Sequence, residues 1–203
     1  SSDLDFWNIN YAGKSNTTCA TTADPNQGYP TAGGGYAAIA RAMLATAAKA
    51  EALQNSITAN GGKALAIKAD SADAEAIRGA VNATLQTFGR LDILVNGAAG
   101  NFLSEASQLS PKGFKTVMEI DAQGTFNMCH ASFPALCEAR GGVVLNISAT
   151  LQYGATWYQV HASAAKSAVD SLTRTLALEW GVHQIRVVGI APGPIANTPG
   201  TTK

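Results

Sequence analysis

Leu91-Asp92-Ile93-Leu94-Val95-Asn96-Gly97-Ala98-Ala99-Gly100 is the stretch whose reading decides the fold. A short apolar run, too brief for a helix, ends in a turn of small residues. Such a run reads as a strand covered on both faces rather than one with a wet side. The pattern recurs on either side, at 64–68 before it and at 143–147 and 185–190 after it. Helical patterns fill the intervals. Residues 73–88 place Ala76, Ile77, Ala80, Val81, Ala83, Leu85 and Phe88 on the apolar side. Residues 111–139 start at Pro111, where a missing N–H costs little, and carry Pro134 as a point of bending. Residues 157–180 end before Gly181. Apolar strands alternating with amphipathic helices predict an α/β fold, a doubly wound parallel sheet joined by right-handed crossovers.

The first sixty residues depart from that rhythm. Residues 37–59 form an alanine-rich helical pattern, and 4–11 read as a short strand. Between them, 13–35 are polar and glycine-bearing, with the turn signals Asp24-Pro25-Asn26 and Gly28-Tyr29-Pro30. No internal repeat and no linker divides the rest. The expected organisation is an irregular segment, 1–34, followed by a single domain, 35–203.

Of the 203 residues 46% are hydrophobic and 14% charged, which places the chain among globular proteins. The formal net charge is zero and no basic block occurs, which argues against nucleic acid as a partner. No apolar run reaches the length of a membrane span. The N-terminus lacks a secretory pattern and the C-terminus lacks a peroxisomal address. Cys19, Cys129 and Cys137 match no zinc spacing and read as free thiols. Three Asn-x-Ser/Thr sites occur, at Asn16, Asn82 and Asn146, the last inside an expected buried strand. Gly13-Lys14-Ser15 is no phosphate loop, because Asn8 stands where that pattern needs a glycine.

Four motifs in order carry a resemblance. They are Asp70 after the first strand, the turn Asn96-Gly97-Ala98-Ala99-Gly100, the helix run ending at Lys166, and Pro192-Gly193-Pro194-Ile195 after the last strand. Residues 61–198 resemble the short-chain dehydrogenase/reductase family. The resemblance implies a Rossmann-like single domain binding NADP(H) or NAD(H) at the strand C-termini. It implies that Asp70 contacts adenine, that Asn96, Gly97 and Ala98 line the ribose and nicotinamide side, and that Lys166 holds the nicotinamide ribose. Pro192, Gly193 and Ile195 would read the carboxamide.

The family's usual tyrosine, four residues before the lysine, is replaced by Ala162, and its serine by Ala149. One branch, the peroxisomal-type 2,4-dienoyl-CoA reductases, is similar in this respect. The stretches 96–103, 114–127 and 159–166 resemble that branch, including Asp121 where most of the family has Asn. The resemblance implies that Asp121 and Lys166 are catalytic, that the substrate is an acyl-CoA, and that the helices 111–139 and 157–180 form a homo-oligomer. It implies a cytoplasmic or peroxisomal location. Ser148, Ser163, Tyr153 and Tyr158 are further candidates for polar contact with substrate. His161 is expected to face away, being about 100° of helix rotation from Ala162.

The N-terminal side does not follow the family. Its glycine-rich turn aligns with Pro30, Gly34 and Tyr36, so one glycine of three remains. One or two N-terminal strands of the doubly wound sheet are expected to be missing, and with them the usual neighbour of 64–68. Either 4–11 partly fills that gap, or 64–68 moves over to pair with 91–95. The family's last strand and substrate lid are not found after Ile195. A non-catalytic relative that serves as an oligomerising or interaction module is the alternative reading.

Overall fold

The computed structural model describes residues 7–10, 47–193 and 195. Its centre is a parallel sheet of three strands, β3 (Ile93–Asn96), β4 (Val143–Ile147) and β5 (Arg186–Ile190), in that spatial order. The register sets Ile93 opposite Val143, Asn96 opposite Asn146 and Ile147 opposite Ile190. β1 (Trp7–Asn10) and β2 (Leu65–Lys68) make a second sheet of their own, antiparallel, with Trp7 opposite Lys68. The proposed boundary at residues 34/35 and the glycine-poor turn at 30–36 lie outside the described residues.

The helices arise from local chemistry. α1 spans Ala47–Ala59 and α2 spans Ala74–Phe88. At the start of α2 the Asp73 carboxylate accepts from the N–H groups of Glu75 and Ala76; at its end Gly89 turns left-handed at φ 78°. Such an N-cap contributes about 1 kcal/mol, and the turn suits a residue without Cβ. Residues 111–138 divide into α3 (Pro111–Met118), one π-helical stretch (Glu119–Gln123) and α4 (Gly124–Glu138). α5 (Val160–Trp180) covers β4 and β5. Ile77 of α2, Leu91 and Leu94 around β3, Leu136 of α4 and Val144 of β4 are enclosed in one apolar cluster. Each such side chain contributes about 1.5–3 kcal/mol by leaving water.

Three expectations change. The helix read as continuous over 111–139 contains a π-helical turn, which a 3.6-residue pattern does not disclose. Of the two alternatives for β2, the structure takes the first, pairing with part of the 4–11 strand and not with β3. The partner is antiparallel, whereas the doubly wound reading expects parallel neighbours. The N–H of Ala66 in β2 is taken by Gln54 Oε1 of α1 at 2.6 Å, so a side chain satisfies a backbone donor there. Finally, β4 alternates buried and half-buried residues, and in β5 only Val187 is buried. Among the described residues, β4 is fully covered on one face, and β5 is covered at Val187 alone.

Candidate functional site

The C-terminal ends of the three parallel strands lie side by side, and the Ser148 N–H extends the ladder by donating to Ile190 O at 2.8 Å. Ligands of open α/β sheets bind at this edge. Lys166, on α5, reaches into it. Its ammonium donates to Ile147 O at 3.0 Å and stands 3.1 Å from Asp121 Oδ2. Asp121 comes from the π-helical turn and is 1% exposed. The other carboxylate oxygen, Oδ1, accepts from the Gly100 N–H at 2.7 Å, and the Asp121 carbonyl accepts from Thr125 Oγ1 at 2.6 Å. Oδ2 faces the ammonium as a buried ion pair. Asp121 and Lys166, carried by separate helical segments, thus meet directly.

Burial raises the Asp121 pKa above the ordinary carboxylate value. The Lys166 charge, the Gly100 N–H and the more distant His161 oppose that rise without reversing it. A carboxyl so placed holds a proton more readily than an exposed aspartate does. The cation beside it supplies positive potential, and an ammonium has three donors. With Ile147 O and Asp121 facing two of them, one is left for a ligand hydroxyl.

Beneath the pair lies a polar scaffold. Asn96 Nδ2 donates to Asn146 Oδ1 at 2.8 Å, and Asn146 Nδ2 donates to Thr173 Oγ1 at 2.9 Å. These bonds tie β3 to β4 and β4 to α5. Asn96 Nδ2 also approaches Cys129 Sγ at 3.3 Å, and burial pushes the Cys129 thiol up to about 12. Asn96 is therefore engaged by its side chain within the protein. Its neighbours Gly97 and Ala98, half-buried, line a small cleft with Ser71, Gly124 and Thr125. Gly124 lets the wall approach: a Cβ there would lie 2.8 Å from the Ser71 Cβ and Oγ. Asn127 Nδ2 clamps the same loop by donating to Ser71 O at 2.9 Å. Asp70 is exposed beside this cleft, its carboxylate accepting from the Ala72 N–H at 2.9 Å.

The remaining candidates separate. Pro192 is half-buried and Gly193 exposed, both just beyond β5 at the same edge, and Ile195 is exposed. Ser148 is buried; its hydroxyl accepts from Gln152 Nε2 at 2.9 Å, and that amide also donates to Asp170 Oδ2 at 2.8 Å. Burial works to raise the Asp170 pKa, but hydrogen bonds from Ser148, Gln152 and Tyr153 and the Arg174 charge bring it below the ordinary value. Ser148 is thus committed to a structural network. Tyr153 and Tyr158 are exposed and Ser163 half-buried. His161 does not face away: it is fully enclosed, its ring 4.3 Å from that of Phe102. The apolar stripe of a covered helix is about 100° wide or more, so two adjacent residues both fit inside it. Asn146 and Gln152 carry roles that the motifs alone do not assign. An asparagine in the middle of the apolar run Val-Val-Leu-Asn-Ile is the available signal for the first.

Among the described residues no cluster of His, Cys, Asp and Glu is arranged to hold a metal, and no helix is long and apolar enough to cross a membrane.

Residues 31–203 match the family model for short chain dehydrogenase. A peroxisomal 2,4-dienoyl-CoA reductase of Arabidopsis thaliana, of the (3E)-enoyl-CoA-producing kind, is 57% identical over 150 residues, covering 70% of this chain and 50% of that protein. Its namesake in Danio rerio is 49% identical, covering 74% of this chain and 50% of its own length. The chain therefore spans about half the length of the curated relatives it matches. Among solved structures, a short chain dehydrogenase from Mycobacterium paratuberculosis bound to NAD superposes with a TM-score of 0.67 at 32% identity, covering 70% of this chain and 53% of that one. One from Bacillus anthracis gives a TM-score of 0.61 at 38% identity, covering 63% and 54%.

Proposed function

This chain belongs to the short-chain dehydrogenase family, and we propose that it carries the active centre of a nicotinamide-dependent reductase of 2,4-dienoyl-CoA thioesters. The observation that carries the reading is the buried Asp121–Lys166 pair at the strand edge, in a chain with Ala162 four residues before its lysine. The similarity to curated 2,4-dienoyl-CoA reductases supports the substrate class.

The small residues Gly97 and Ala98, together with Pro192, Gly193 and Ile195, are the proposed cofactor contacts, with Asp70 and Asn96 at the adenine side and beneath the turn. Lys166 has a donor left for ribose hydroxyls. NADP(H) or NAD(H), when bound, supplies hydride to the δ-carbon of the diene. The electrons displaced toward the thioester oxygen make a dienolate, whose negative charge the Lys166 ammonium stabilises. Asp121 holds the proton, directly or through a water, that then goes to the α-carbon and leaves a 3-enoyl-CoA. Burial, which raises the Asp121 pKa, favours the proton-bearing form this step needs.

The test is a fluorescence titration with NADPH and a turnover assay with a dienoyl-CoA on the full chain. Saturable binding and substrate-dependent cofactor oxidation are expected. Lys166→Ala should weaken binding, and Asp121→Asn should depress turnover while leaving binding nearly intact. Absence of saturable binding at millimolar cofactor sinks the reading. A non-catalytic oligomerising role is the second reading, favoured by the placement of β2 outside the parallel sheet. The proposed assembly is a homo-oligomer through the helices at 111–139 and 157–180, on which Phe114, Phe126 and Leu178 are exposed. The proposed compartment is the peroxisome or the cytoplasm.

A further inference from the structure

The buried face of α5 carries a polar stripe. Lys166, Asp170 and Thr173, at i, i+4 and i+7, are each at most 9% exposed. The stripe meets successive residues at the exit of β4. Thr173 Oγ1 accepts from Asn146 Nδ2 at 2.9 Å, and the Lys166 ammonium donates to Ile147 O at 3.0 Å. Asp170 takes the next residue, accepting from the Ser148 hydroxyl. It also holds the turn that follows, accepting from Gln152 Nε2 at 2.8 Å and from the Tyr153 hydroxyl. Gln152 Nε2 donates to Ser148 Oγ at 2.9 Å as well, which closes the network. Donors converging on one side chain suit an ionised carboxylate, which only accepts and has about four lone-pair sites. Bonds to such a charge are roughly twice as strong as neutral ones. Arg174, one turn further along α5, adds the opposite charge. The proposed chemistry uses Lys166 and gives this second buried charge of α5 no task, although burying a charge is costly.

We propose that Asp170 is a positioning residue: by tying Ser148 and Gln152 to α5, it fixes the roll of that helix on β4 and so aims the Lys166 ammonium. Apolar packing alone lets a helix roll and slide on a strand, whereas a satisfied polar network specifies one seating. Asp170 and Lys166 stand one turn apart on one helix, and their partners Ser148 and Ile147 share a peptide bond. Removing the carboxylate leaves Lys166 its charge but not its aim. The consequence for cofactor binding rests on the dienoyl-CoA reading; the seating of Lys166 does not. A carboxylate that served only general stability would affect binding equally with and without Lys166.

The experiment has two arms, both on the full chain. In the first, NADPH is titrated by fluorescence into the parent, Asp170→Ala, Lys166→Ala and the double variant. Asp170→Ala is expected to raise Kd by about 10-fold, and to add nothing once Lys166 is alanine. An unchanged Kd in Asp170→Ala overturns the proposal, as does an equal further loss in the double variant. The second arm is proton–nitrogen NMR of the lysine ammonium groups, with the Lys166 signal identified by its absence in Lys166→Ala. Asp170→Ala is expected to shift that signal or hasten its exchange with water. Gln152→Ala cuts the same link at a half-buried residue and is expected to do likewise, should Asp170→Ala not fold. A Lys166 signal that neither variant moves overturns the proposal. If the parent chain binds no NADPH, the reductase reading fails while the NMR arm still decides the role of Asp170.

Discussion

Replacing Lys166 with methionine removes the ammonium and keeps most of the aliphatic stem. Two partners lose it, Ile147 O and Asp121 Oδ2. The lost bond to a carbonyl costs about 1 kcal/mol at any pH. The carboxylate is the larger matter, because breaking a buried pair by removing one partner costs about 3–5 kcal/mol while the other stays charged. Asp121 escapes part of this cost by taking up a proton. Burial already raises its pKa against the pull of Lys166 and the Gly100 N–H, and the substitution removes the foremost opposing influence. The unfolded chain releases this proton near ~3.9. Between that value and the higher folded one, the folded state binds more protons than the unfolded. Stability therefore falls as pH rises through this window and returns as pH drops below it. Each unit by which the folded value climbs costs about 1.4 kcal/mol above the window. Lys166→Met should thus lose about 3 kcal/mol at about pH 8, or about 6–12 °C in Tm, but only about 1 kcal/mol at about pH 4. Asp121→Asn in the same background should recover the difference at high pH. Urea unfolding of the parent, both single variants and the double variant at the two pH values measures this. A pH-independent loss, or single-variant costs that simply add, would refute the reasoning.

Three shorter expectations concern the scaffold. Asn146→Ala should destabilise by about 1–3 kcal/mol for each partner it strands, Asn96 and Thr173, seen in the denaturation midpoint. Gly124→Ala should cost about 1–3 kcal/mol because its Cβ meets the Ser71 Cβ and Oγ at 2.8 Å, and Ser71→Gly in the same chain should relieve it, read as Tm. Cys129, enclosed and with its thiol pushed up to about 12, should resist alkylation in the native protein while the partly exposed Cys137 reacts; peptide mass spectrometry before and after unfolding distinguishes them.

Much of the architecture is legible in periodicity. The apolar run at 143–147 coincides with β4 residue for residue, and the helical pattern over 73–88 opens on Asp73, which the structure makes the cap of α2. Those elements are set by local pattern and by short-range hydrogen bonds, which a sequence displays. The pairing of β2 is not legible in this way. An apolar run of four residues looks the same beside a parallel or an antiparallel neighbour, and the N–H of Ala66 is satisfied from twelve residues away by Gln54. The Asp121–Lys166 pair is legible only by resemblance, since nothing local links a residue of one helical segment to a residue of another so far along the chain. The direction of His161 escapes an argument from its single neighbour Ala162, because what decides it is the width of the face that α5 buries.

The π-helical turn at Glu119–Gln123 has a bearing on how this segment tolerates change. An α-helix advances about 100° per residue, so a widened turn acts as a gearbox, phasing α3 independently of α4. Ser110 and Phe114 can keep their setting while Gly124 and Asn127 keep theirs. Substitutions within the turn alter chemistry at one point. Removing a single residue from it would re-index an entire helix against its neighbours, so the chain's length here is guarded more strictly than its composition.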